Sequence, residues 1–308
     1  MTQPQDPKAD PRFDALRDDV RGERPRAASA WDHFTCGDGC KLFFEEWMPA
    51  APCSRMVLCF HGMAAHSRYF ALLADALTPH GIGVFAYDYR GHGLSDGPRG
   101  DIPDAARLVA DARQIYAFVQ SRHPGTPLFT FGESMGGAMN ANLILSSPAG
   151  LRGAVFAAPA IAPAFRLPLA QMLLFPVYGL AALFVPGARI VKLTGQERQG
   201  MNNDLNVAYD QNDPLHLSYG CMRYLRNVKR LMDAARHKTP EALRGPTLVF
   251  QGGCDAAVSP QATRQFFDAV QATDKTLKFY DDAKHCMLTD PVHGPLLTGT
   301  LIDWLISH

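Results

Sequence analysis

Residues 128–137 read Leu128, Phe129, Thr130, Phe131, Gly132, Glu133, Ser134, Met135, Gly136, Gly137: an apolar strand running into a glycine-flanked serine, with a helical pattern following at once. A strand that meets a helix without a loop between them must turn sharply, and a serine at the tip of that turn is held in a strained backbone. Its neighbours two positions away must lack bulk, a demand that Gly132, Gly136 and Gly137 meet. The first turn of the new helix presents N–H groups without intrahelical partners, and that of Met135 is placed to hold a developing oxyanion. These ten residues therefore read as a nucleophile elbow.

A second G-x-S-x-G, residues 93–97, tests that reading. Ser95 stands several residues beyond a strand end and Pro98 follows where a helix would have to start, so Ser95 reads as a turn serine bonding its own backbone.

Working outward from the elbow, short apolar runs alternate with longer amphipathic stretches, the pattern of a largely parallel sheet with helices on its faces. The candidate strands are 41–47, paired with residues near 33–36 across Gly37, Asp38 and Gly39, then 56–60, 83–87, 128–131, 153–157, 247–251 and 276–280. Helical spacing occupies 69–79, 105–121, 135–145, 261–272 and 295–306. Between 160 and 244 the rhythm breaks, which predicts a helical cap inserted after the sixth strand, with a connection back to a core made of 31–159 and 245–308. Residues 1–30 alternate charge with proline, show no apolar period, and are expected to form a mobile tail.

Serine is a poor nucleophile until a base takes its proton, and in the α/β-hydrolase fold, to which such an elbow belongs, the partners follow in the order serine, acid, histidine. After the strand 247–251 come Gly252, Gly253, Cys254 and Asp255, and after the last strand come Asp281, Asp282, Ala283, Lys284 and His285. Loops at the carboxyl ends of parallel strands gather along one edge of the sheet, so Ser134, Asp255 and His285 are expected to converge as nucleophile, acid and base. Asp281 and Asp282 lie too near His285 in sequence to reach behind it, and Asp88 ends an earlier strand, where bracing a loop is the ordinary role. The second oxyanion donor is expected from the loop after 56–60, which begins His61, Gly62, Met63. Met63 N–H takes that role, while His61 and Gly62 form a tight turn, held rigid by a histidine bonded to backbone.

Composition bounds the function. The 308 residues are 47% hydrophobic, ample for a large core, and thirty basic residues cancel thirty acidic ones, which leaves no field to attract nucleic acid. The first 30 residues lack the apolar run of about 7–15 residues that a secretory signal needs. Seven scattered cysteines suit free thiols in a reducing, cytoplasmic compartment. Cys254 and Cys286 adjoin two triad candidates; small packing residues are the ordinary reading, with inhibition by thiol reagents as the alternative. No metal or organic cofactor is implied, and the sequence leaves the oligomeric state open. The stretch 167–186 approaches the roughly 20 residues of a membrane span. Pro168, Gln171, Pro176 and Gly179 interrupt it, and a span there would put two strands of one sheet on opposite sides of a bilayer. A buried cap helix and an apolar lid that docks on a membrane or micelle both stay open.

The chain resembles the monoacylglycerol lipase and lysophospholipase group of α/β-hydrolases. The resemblance is carried by His61 and Gly62 followed by His66, Ser67 and Tyr69; by YDYRGHGLSD at 87–96; by the GESMGG elbow; by NDPL at 212–215; by QGGCD at 251–255; and by DKTLKFYDDAKH at 274–285. It implies a mobile apolar lid over an acyl channel and a small-molecule ester of one acyl chain as substrate. Relatives often carry glycine and an acidic residue where Ala64 and Ala65 stand, which implies weaker polar contact with a glycerol head. Lysophospholipids and the peptide substrates of S33-type peptidases suit the same triad. A dehalogenase or epoxide hydrolase would be expected to carry a carboxylate at position 134, and a non-catalytic binding protein has no need of the elbow and triad together.

Overall fold

Strands that are apolar at every position can be buried on both faces only in a sheet covered on both sides. The computed structural model, which describes residues 28–164, 185, 187–193 and 213–308, contains such a sheet. Its strands are β1 (Ala30–Thr35), β2 (Lys41–Trp47), β3 (Arg55–Phe60), β4 (Ile82–Tyr87), β5 (Leu128–Glu133) and β6 (Leu151–Ala157). A small separate ribbon, β7 (Val191–Lys192) with β8 (Tyr219–Gly220), precedes β9 (Thr247–Gly252) and β10 (Lys275–Tyr280). The eight-stranded sheet has the order β1-β2-β4-β3-β5-β6-β9-β10. β1, β2 and β4 pair antiparallel, and every other neighbouring pair is parallel.

The chain runs from β3 outward to β4 and then returns across β3 to β5, so the winding reverses between β3 and β5. At such a switch point the loops leaving the two strands diverge and open a crevice at their carboxyl ends. The His61 loop and the Ser134 elbow are these two loops.

Helices cover the faces: α1 (Ala71–Leu77), α2 (Ala105–Arg122), α3 (Met135–Ile144), α4 (Met222–His237), α5 (Pro260–Ala269) and α6 (His293–Ser307). Asp104 caps α2 by accepting the Ala106 N–H, and Ser259 caps α5 with Pro260 in the first turn. α5 ends three residues before the sequence pattern does. There Lys275 Nζ donates to the carbonyls of Phe267, Asp268 and Val270 at 2.9, 3.1 and 2.9 Å, satisfying acceptors the helix leaves over. The stretch expected as one helix over 69–79 divides into two 3₁₀ turns flanking α1, the second of them containing Pro79.

One boundary differs from the sequence expectation. β1 already includes Ala30, and Ser29 is held as well: its N–H donates to Glu46 O at 2.7 Å and its hydroxyl accepts from Met48 N–H at 2.9 Å. Polar partners order these residues without any apolar period; residues 1–27 of the expected tail lie outside those described. Within the interval expected as cap and connection, α4 buries Tyr224, Val228, Leu231 and Ala235 at helical spacing, and Leu231 O accepts from Asn142 of α3 at 2.9 Å. α4 thus covers the elbow helix. Of the apolar stretch 167–186 only Val185 is described, and among the described residues no helix is long and apolar enough to cross a membrane.

Candidate active site

Ser134 stands between β5 and α3 with φ 55° and ψ −120°, a conformation that costs a non-glycine residue on the order of 1–3 kcal/mol. The surroundings enforce it. Ser134 N–H donates to Ala157 O at 3.0 Å, and its carbonyl accepts from Gly137 N–H and Ala160 N–H, each at 2.9 Å. A Cβ at Gly136 would lie 1.8 Å from Phe60 O, one at Gly132 2.3 Å from Gly136 O, and one at Gly137 2.7 Å from Pro159 Cβ, so only glycine fits the elbow. The serine hydroxyl does not cap α3.

The loop after β3 reaches this serine: a Cβ on Gly62 would be 3.6 Å from Ser134 Cβ. His61 is fully buried. Its Nε2 accepts Tyr89 N–H at 3.2 Å, which leaves the proton on Nδ1 to be donated to Gly62 O at 2.9 Å, and Tyr89 OH donates to His61 O at 3.1 Å. Burial, helped by the nearby His92, holds the His61 imidazole well below its ordinary pKa, so it stays neutral and works as a brace. The left-handed residue of the turn is Ala64, with φ 67°, rather than Gly62. Met63 is 39% exposed, and among the described residues neither Met63 N–H nor Met135 N–H takes part in a backbone hydrogen bond.

Asp255 and His285 come together from the loops after β9 and β10. Asp255 Oδ1 accepts the Ala257 and Val258 N–H groups, each at 2.9 Å, and Oδ2 accepts from Gln251 Nε2 at 3.1 Å and from His285 Nδ1 at 2.8 Å. With its proton on Nδ1, the imidazole keeps Nε2 as a base. Burial acts to lower the His285 pKa, but the hydrogen bond and charge of Asp255, with Glu133 adding, hold it above the ordinary 6.5. Glu133 directly precedes Ser134, so its influence ties His285 electrostatically to the elbow.

The competing residues have other duties. Asp88 is buried and braces loops, accepting Ser67 N–H at 2.6 Å and Leu94 N–H at 2.7 Å. Asp282 pairs with His293 at 3.1 Å on the surface, and Asp281 is exposed. Ser95 donates to Asp88 O at 2.7 Å and accepts from Phe43 N–H at 2.8 Å, so it bonds backbone other than its own. The expectation that Cys254 is a packing residue is wrong: its side chain is exposed, because the loop turns outward there before turning Asp255 inward, while Cys286 is half-buried.

Several residues of the site were given no role from sequence, although His66 and the motifs that contain Gln251, His92 and Asp213 carried the resemblance. Gln251 orients Asp255; Tyr224 and His92 stand behind the Ala64 turn; and buried His66 bonds Asp213 at 2.6 Å, tying the β3 loop to the chain that returns from the insertion. The role of Gln251 had a local signal, a polar side chain directly after the apolar run 248–250. The others are contacts across more than 130 residues and leave no local signal.

Comparison with known proteins supplies a family. The model of the family described as serine aminopeptidase, S33, matches residues 51–292. Human monoglyceride lipase is 27% identical over 262 residues, 83% of each chain, and the monoacylglycerol lipase of Mycolicibacterium smegmatis is 26% identical over 88% of this chain and 94% of its own. The crystal structure of Paleococcus ferrophilus monoacylglycerol lipase superimposes with a TM-score of 0.72 at 26% identity, covering 87% of this chain and 99% of that one.

Proposed function

Taking as premise that the chain belongs to the serine aminopeptidase, S33, family of α/β-hydrolases, we propose that it hydrolyses carboxylic esters bearing one medium or long acyl chain. Ser134 Oγ attacks the ester carbonyl as its proton passes to His285 Nε2. Asp255 keeps the Nδ1 proton in place and stabilises the imidazolium. The Met63 and Met135 N–H groups hold the oxyanion. His285 returns the proton to the departing alcohol, water then repeats the sequence on the acyl-enzyme, and the fatty acid leaves. The observation that carries this reading is the 2.8 Å bond between Asp255 and His285, on loops that leave the same carboxyl edge of the parallel strands as a serine held at positive φ.

The acyl preference is supported by the relatives named as monoglyceride lipases and by the apolar run 167–186 within the proposed cap, residues 160–244. In this proposal the cap closes over the acyl chain and can touch a lipid surface, in a cytoplasmic protein. The test is a chain-length series of p-nitrophenyl esters and monoacylglycerols, with aminoacyl p-nitroanilides alongside. Ser134→Ala is expected to lower kcat by about 10⁶-fold, as loss of a triad serine does elsewhere. Unchanged ester turnover in that variant overturns the mechanism, and preferential cleavage of the anilides overturns the substrate class in favour of a peptidase.

A further inference from the structure

The geometry points to Tyr224 as a positioning residue of the oxyanion hole, with His92 setting the direction of its hydroxyl; the inference rests on Met63 N–H being an oxyanion donor. Tyr224 lies in the first turn of α4 and is fully buried. Its hydroxyl has three neighbours: Ala64 N at 3.4 Å, His92 Nε2 at 3.1 Å and Met135 Sδ at 3.8 Å. A phenol has one proton, so only one of these can receive it.

The recipient follows from His92. Burial pushes this imidazole down to about 3, so it is neutral and carries a single N–H. Its Nδ1 lies 3.2 Å from Arg90 O, which can only accept. The proton is therefore on Nδ1, and Nε2 offers a lone pair to Tyr224. Tyr224 donates to His92, touches the Met135 sulfur without bonding it, and presents its oxygen to Ala64 N–H. The result is one directed chain: Ala64 N–H to Tyr224 Oη, Tyr224 O–H to His92 Nε2, and His92 Nδ1–H to Arg90 O. Each link polarises the next.

At 3.4 Å the link to Ala64 is long, so its role is to set where the Ala64 peptide lies rather than to add stability. That peptide needs setting, because Ala64 is a non-glycine residue at φ 67° directly after Met63. Its carbonyl is held as well, by Leu217 N–H at 2.9 Å. Tyr224 thus fixes the loop that offers one donor while its hydroxyl rests against the side chain of Met135, which offers the other.

The test is Tyr224→Phe, which removes only the oxygen. A trifluoromethyl ketone serves as the second readout: Ser134 Oγ adds to its carbonyl, the proton passes to His285, and the new oxyanion occupies the hole. A misplaced donor is expected to lower kcat by about 10- to 100-fold and to weaken ketone binding by the same factor, with KM unchanged. His92→Leu makes the same test from the other end of the bond if Tyr224→Phe folds poorly, and it is expected to add nothing when combined with it. Values of kcat and ketone affinity within about twofold of the unmodified enzyme in these variants overturn the inference. Fluorophosphonate labelling separates this failure from the broader one: an unmodified protein that does not label at Ser134 ends the serine-hydrolase reading, whereas labelling with undiminished kcat in Tyr224→Phe ends only the role of Tyr224.

Discussion

Ser134 follows β5, a central strand buried at all six positions, whereas His285 follows β10, an edge strand whose residues are half-buried or exposed. The serine is located by main chain: a positive φ, backbone hydrogen bonds to both its N–H and its carbonyl, and glycines that approach other atoms too closely for any Cβ. The histidine is located by a side chain, the carboxylate of Asp255, which is itself oriented by two loop amides and Gln251. On the first side an added carbon attacks the fold. On the second an exchanged atom attacks the chemistry and leaves the fold standing.

The largest effect that would expose this contrast is expected from Gly136→Ala. With a Cβ 1.8 Å from Phe60 O, the elbow must open, and a loss beyond about 4 kcal/mol is expected. Thermal melting checks it, and a variant that melts near the unmodified protein breaks the contrast. Asp255→Asn comes next: kcat should fall by about 10⁴-fold, while the melting temperature changes far less than for Gly136→Ala.

A pH profile sharpens the second half of the comparison. His285 must be neutral to act as a base, and its pKa is raised above 6.5, so kcat/KM should fall as pH drops through a value above 6.5. Glu133→Gln removes one of the charges that raise it, and the acid limb should move to lower pH. A limb at or below 6.5 in the unmodified enzyme contradicts the raised value. The smallest effect is expected from Cys254→Ser. The thiol is exposed although it adjoins Asp255, so ester turnover should stay within about twofold, the usual span of a surface change.

The same contrast explains what could be read from sequence. The elbow was legible because its constraints are local: Gly132, Gly136 and Gly137 stand within five residues of one another and each is required by contact. The sheet was legible because β3, β4, β5 and β9 are short runs dominated by apolar residues. Asp255 and His285 could be nominated by their place after the last two strands, since parallel strands deliver their following loops to one edge. The Tyr224 brace could not be read, because Ala64, His92 and Tyr224 meet only when α4 folds back over α3. The left-handed conformation of Ala64 was hidden for a related reason. Neighbouring Gly62 suggested the turn residue, but contacts from Leu217 and Tyr224 hold the alanine there instead.

If the anion is held by main-chain hydrogens at positions 63 and 135, its recognition does not depend on the side chains those residues carry. The two positions nevertheless differ: Met135 is packed at 1% exposure and Met63 stands 39% open. A randomised library at position 63 would therefore sample new ligand shapes while keeping the same amide dipole in place. Selection for altered acyl preference could begin there without disturbing the machinery that sets turnover.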